Sequence, residues 1–120
     1  MKKFMAVYTG TAEAQRRSGW DDLSEDERNK RVKKGFDAWM AWGEKHKSAI
    51  VENGGPLGKT KRTGANGVSD IKNNLAGYIV VQAESHEAAA KLFEGHPHFS
   101  IFPGDSVEVM EIMPIPTPPE

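Results

Sequence analysis

Apolar and polar positions along the chain follow two rhythms. A period of two marks strands: Phe4, Ala6 and Tyr8 fall on one face of the first, Met5 and Val7 on the other. The run GYIVVQA from Gly77 to Ala83 predicts a second, and Val107 to Met113 a closing strand. A helical period joins Val32, Gly35, Phe36, Trp39, Trp42, Gly43, His46 and Ile50 into one buried stripe. Its start is the capping box Ser24-Glu25-Asp26-Glu27, whose carboxylates oppose the helix dipole. Its predicted stop is Asn53, before Gly54-Gly55. Gly35 and Gly43 lower helix propensity, which predicts close approach of the helix to the sheet.

The remaining segments are read as connections or edges. Gly10 to Asp22 is a polar connection carrying Gly19 and Trp20. Leu57 to Thr63 is a basic strand suited to a sheet edge, and Gly64 to Ala76 a long turn containing Asn66-Gly67, Asp70 and Asn73-Asn74. Ser85 caps a helix running through Glu94, with Gly95 beyond its end. Pro114, Pro116, Pro118 and Pro119 make 114–120 an extended tail on a single domain of residues 1–113.

This order predicts an α+β, ferredoxin-like β-α-β-β-α-β domain with an antiparallel sheet. Right-handed crossovers put both helices on one face. Yet Tyr78 and Val80 oppose Ile79 and Val81, and Val107 and Val109 oppose Met110 and Ile112. A sheet apolar on both faces needs a second cover, and a second copy of the chain supplies it. A homodimer is expected.

Composition narrows the partners. With 120 residues, 16 basic and 17 acidic, the chain carries a formal charge of -1 and has no global field for nucleic acid or an anionic membrane. Cysteine is absent, which excludes disulfides and thiolate chemistry and suits a reducing compartment. No apolar run approaches the roughly 20 residues of a membrane span, and MKKFMAVYTG is no signal segment. A soluble cytoplasmic protein is expected, with no nucleic-acid or membrane partner.

The topology gathers Tyr8, the Trp20 loop, Asp70 and His96-Pro97-His98 at one edge of the sheet. There His98 or His96 would shuttle a proton, Asp70 would orient the imidazole, and Tyr8 and Trp20 would line the pocket. An extended backbone across Pro97 would point both histidines the same way. Two other readings stand beside this one. The loop can simply be solvated, or His-x-His can ligate a metal with a third ligand from His46, His86 or a carboxylate. No metal or cofactor is assigned. His46, Trp39 and Trp42 read as core, His86 as exposed, and Gly54 to Gly58 stands in the wrong order for a phosphate loop.

These segments also carry a resemblance. KKFMAVYTG, the Trp39-x-x-Trp42 helix, GGPLG, GYIVVQAESHEAAAKLFEGHPHF and VEVMEIMPIP, in this order, resemble the YCII-related proteins, including the branch named for a DGPF motif. The resemblance implies a dimeric α+β barrel with small-molecule chemistry by a histidine–aspartate pair in a pocket at the dimer interface. Where that branch has its motif, this chain has Ala65-Asn66-Gly67-Val68, with Asp70 at the place of a nearby acidic residue. Where shorter members have Asp-Pro-Phe, it has His96-Pro97-His98. His46 can stand for the helix-borne histidine of the family. Two functions follow from this. One is a small dimeric lyase, isomerase or cofactor-free oxygenase using His/Asp acid–base chemistry. The other is a non-catalytic module binding a ligand or protein, in line with DGPF relatives associated with sigma factors of the extracytoplasmic-function type.

Overall fold

A computed structural model describes residues 1–119. Strand β1 (Lys2–Thr9) is followed by a short helix α1 (Ala12–Ser18), a 3-10 turn (Trp20–Asp22) and the long helix α2 (Glu25–Lys45). Next come β2 (Ile50–Pro56), a hairpin of β3 (Thr60–Gly64) and β4 (Gly67–Ile71), and β5 (Leu75–Ala83). Helices α3 (His86–Lys91) and α4 (Pro97–Ser100) lead to β6 (Ser106–Glu111). The main sheet has the order β2-β5-β1-β6 with antiparallel neighbours. This is the α+β, ferredoxin-like arrangement the sequence predicts, with β3–β4 inserted as a separate hairpin.

The capping box forms as expected: the Ser24 hydroxyl accepts from the Glu27 amide, and the Glu27 carboxylate accepts from the Ser24 amide. The helix ends eight residues before the expected Asn53, however, at Lys45. Ile50 pairs with Val81 and opens β2. A single apolar residue at helical spacing suits a strand equally well, and two β-branched residues, Ile50 and Val51, favour the strand. Gly54 is not a helix stop. It holds φ +59 at a register shift in β2, where a side chain would collide with the Tyr78 carbonyl.

The basic edge strand and the long turn become one polar arm. Thr60 to Gly64 pairs with Gly67 to Ile71, closed by the two residues Ala65 and Asn66. Every residue from 61 to 76 is exposed. Helix α1 lies inside the expected polar connection. Thr11 caps it by accepting from the Ala14 amide, and Gly19 ends it at φ +74. It buries only Ala14, so no apolar stripe announced it. The helix after Ser85 stops at Lys91, and turns bonded three residues back continue to Gly95.

The core lies between the sheet and the helices. Phe4, Ala6, Tyr8, Ile79, Val81 and Ala83 meet Trp42, Ala89 and Phe93. Of the predicted α2 stripe, Gly35 and Trp42 are buried, whereas Val32 and Phe36 are exposed. Gly35 admits the Phe102 ring, which a side chain there would meet, so its close approach is to that loop and not to the sheet. On the opposite sheet face Met5 and Val7 are half-buried, and Met110 (44%) and Ile112 (45%) are open. Residues 112–119 form neither helix nor strand.

Candidate functional site

A cleft of about 890 Å³ runs between α2 and the β2–β5 side of the sheet. Trp39, Met40 and Phe36 form one wall; Ile50, Pro56 and Tyr78 belong to the other, and Tyr8 and His98 also line it. Glycines leave it open. A Cβ added at Gly43 would meet nothing within 4 Å, and one at Gly77 would crowd the Gly55 carbonyl oxygen at 3.2 Å. Gly43 therefore does not bring helix and sheet together, as its place in the stripe suggested.

Around Tyr8 the aromatic rings are close. Its centroid lies 5.1 Å from Trp39, 5.3 Å from His96 and 5.2 Å from His98. The edge of Trp39 meets His96 at 4.5 Å, and Trp42 meets it at 4.7 Å. The Trp42 indole is fixed by donating to the Leu92 carbonyl at 2.8 Å.

Both histidines have defined protons. His98 Nε2 lies 2.7 Å from the Thr9 carbonyl oxygen, which can only accept, so that nitrogen carries the proton. Its Nδ1 has no hydrogen bond among the described residues. His96 is the N-cap of α4, and its Nδ1 accepts from the His98 amide at 3.0 Å. The neutral His96 ring therefore holds its proton on Nε2, a buried atom without a hydrogen-bond partner among the described residues. Burial lowers both imidazoles below the usual histidine range, His96 to about 4, where His98 and His46 add repulsion. At His98 the Thr9 carbonyl and the Asp105 carboxylate oppose the burial. Burial raises the Tyr8 phenol well above its usual range. Near neutral pH the site holds two uncharged imidazoles and an uncharged phenol.

The structure brings together only some of the residues the sequence placed at this edge. Tyr8, His96 and His98 share the aromatic cluster. The backbone across Pro97 is a helical turn and not an extended segment. Asp70 does not join them. Its carboxylate, 83% exposed, pairs with Lys61 at 2.7 Å on the hairpin arm, because Asp70 lies in β4, the second strand of the Thr60–Ile71 hairpin, and not in a turn folded over the edge. Trp20 is not part of the cleft lining. It packs on Phe102 at 6.2 Å under the Arg31 guanidinium. His46 stands nearer than its helix position suggested, 5.0 Å from Trp42 and thus one ring from His96. His86, though exposed, stacks on Phe4 and bonds the Val109 carbonyl at 2.6 Å.

Three participants were missed. Trp39 reads as core in the sequence but is a half-buried cleft wall. Asp105, anchored by Arg17 at 3.3 Å and by the Ser106 hydroxyl, is the carboxylate that acts on His98. The Thr9 carbonyl, as a main-chain atom, leaves no trace in residue types. Among the described residues no group of three or more histidine, aspartate or glutamate side chains is placed to hold a metal ion, and no helix is long and apolar enough to cross a membrane.

No family model matches the chain, and no curated protein matches it by sequence. Among solved structures it is similar to 5-chloro-2-hydroxyhydroquinone dehydrochlorinase from Burkholderia phenoliruptrix AC1100, determined in complex with 2,5-dihydroxybenzoquinone. The TM-score is 0.51 at 18% identity, over 92% of this chain and 93% of the other. At that identity the likeness establishes the α+β fold and carries no residue roles.

Proposed function

We propose that the cleft binds a small ring molecule bearing oxygen substituents and that His98 exchanges a proton with it through Nδ1. The observation that carries this reading is the clamp of the Thr9 carbonyl on His98 Nε2. It leaves the other ring nitrogen as an acceptor on an imidazole that lines an apolar cleft. A lowered pKa keeps that imidazole neutral at pH 7, and a neutral imidazole is a base. Trp39, Tyr8 and Phe36 offer flat apolar surfaces for a ring.

The similar solved enzyme acts on a chlorinated hydroxyhydroquinone and is bound to a dihydroxyquinone; both belong to this chemical class. On this reading the chain is a small enzyme of lyase or isomerase type related to the YCII proteins, working as a homodimer in the cytoplasm. The exposed Met110 and Ile112 face supports the dimer, and the lack of cysteine suits the compartment.

A non-catalytic ligand-binding module is the second reading, favoured by Asp70 standing apart from both histidines. Exchange of the α-protons of cyclohexane-1,4-dione in D2O, followed by proton NMR, separates the two. The enzyme reading expects accelerated exchange that falls about 100-fold or more in His98→Gln. Binding of the dione without exchange identifies the module, and exchange that survives His98→Gln removes His98 from the chemistry.

A further inference from the structure

Among the described residues two buried side-chain polar atoms have no hydrogen-bond partner: the Tyr8 hydroxyl and His96 Nε2. Buried polar groups in folded proteins are nearly always paired, so two such atoms on neighbouring rings need an explanation. Both are donors. The His98 amide occupies Nδ1 of His96 and fixes the proton on Nε2, and burial keeps the Tyr8 phenol protonated. The two rings lie 5.3 Å apart and both touch Trp39. Tyr8 belongs to the cleft that His98 also lines.

We infer that the Tyr8 hydroxyl and His96 Nε2–H form a paired donor for one oxygen of the cleft ligand. The inference rests on the reading that the cleft takes a small ring molecule, and it names the class more closely: a ring whose ionising position is conjugated to a carbonyl or phenolic oxygen. When a C–H or O–H of such a ring gives its proton to His98 Nδ1, the electron pair of the broken bond delocalises onto that oxygen. Two neutral donors in a low-dielectric pocket stabilise the charge as it forms. His96 serves as donor and not as base, because its acceptor nitrogen is already engaged. His96 is itself buried behind the cleft wall, so on this inference Trp39, in contact with Tyr8 and both histidines, is the side chain whose movement would admit the oxygen.

Tyr8→Phe tests this by removing the hydroxyl and leaving the ring. The readouts are the affinity for 4-nitrophenolate at pH 8, measured by absorbance, and the melting temperature of the unliganded protein. The inference expects affinity to fall about tenfold or more, with melting unchanged or raised, since an unpaired buried hydroxyl has been deleted. His96→Asn, which keeps an acceptor for the α4 cap, is expected to weaken the phenolate similarly. Unaltered affinity in Tyr8→Phe overturns the paired donor while leaving the cleft reading intact. Lost affinity with a lowered melting temperature also overturns it and makes Tyr8 a packing residue. A wild-type protein that binds no 4-nitrophenolate removes the cleft reading itself.

Discussion

His98 Nε2 lies 2.7 Å from the carbonyl oxygen of Thr9. Thr9 is held in turn, its hydroxyl 2.8 Å from that of Ser106 and its carbonyl also accepting from the Asp105 amide at 2.9 Å. A carbonyl at the end of a central strand thus sets the tautomer of a side chain 89 positions later. Gly104 makes this possible, since a side chain there would strike the His98 ring.

The first prediction concerns acid stability. His96 is lowered to about 4 in the folded protein, against roughly 6.5 when unfolded. Below pH 6.5 the unfolded chain takes up a proton that the folded one refuses. Stability present above that pH is therefore lost as pH falls toward 4. The loss from His96 is on the order of 3 kcal/mol. Denaturant unfolding at pH 7 and pH 4 measures it, and His96→Asn should remove most of that difference.

Gly43 is the second. It lies inside α2, and a Cβ there meets nothing within 4 Å. Gly43→Leu should raise stability by about 0.5–1 kcal/mol through helix propensity and fill the cleft. Ligand affinity should drop by about tenfold or more even as the protein melts higher. A gain in stability with affinity retained would place the ligand elsewhere.

The two carboxylates should behave differently. Asp70→Asn breaks an exposed pair with Lys61 and should cost less than about 0.5 kcal/mol without moving the His98 titration. Asp105→Asn removes a charge that raises the His98 pKa and should lower it further. Histidine NMR titrations of both variants decide the matter. A lowered His98 pKa in Asp70→Asn would restore the pairing expected from the sequence.

Met110 tests the dimer. It is 44% exposed on the sheet face away from the helices, opposite Met5. Met110→Asp should leave the protomer folded and abolish association, whereas the wild-type chain should sediment at twice the monomer mass at micromolar concentration. A monomeric wild type contradicts the proposed dimer.

The order of these elements shows what residue pattern conveys. Phe4, Ala6 and Tyr8 alternate with Met5 and Val7, and this period, with the Ser24 capping box, suffices for β1 and the start of α2. Ile50 did not reveal its strand, because one apolar residue fits a period of 3.6 and a period of two alike. Asp70 was misplaced for a different reason: Asn66-Gly67 marks a turn and the basic strand before it was legible, but the flank after it is too polar to announce β4, the strand that carries Asp70. His96 and His98 were legible as a motif, but their roles were not. The acceptor state of His96 Nδ1 and the clamp on His98 depend on main-chain atoms, which residue types do not encode.

The central claim is that His98 meets a ligand in the cleft through Nδ1, with Nε2 held by Thr9. Nitrogen-15 spectra of the histidine rings during titration with 4-nitrophenol at pH 6 test it most directly. The account predicts saturable movement of the His98 Nδ1 resonance, with Nε2 remaining protonated and close to its starting position. Saturable binding that leaves His98 Nδ1 unmoved, or no saturable binding at all, would contradict it.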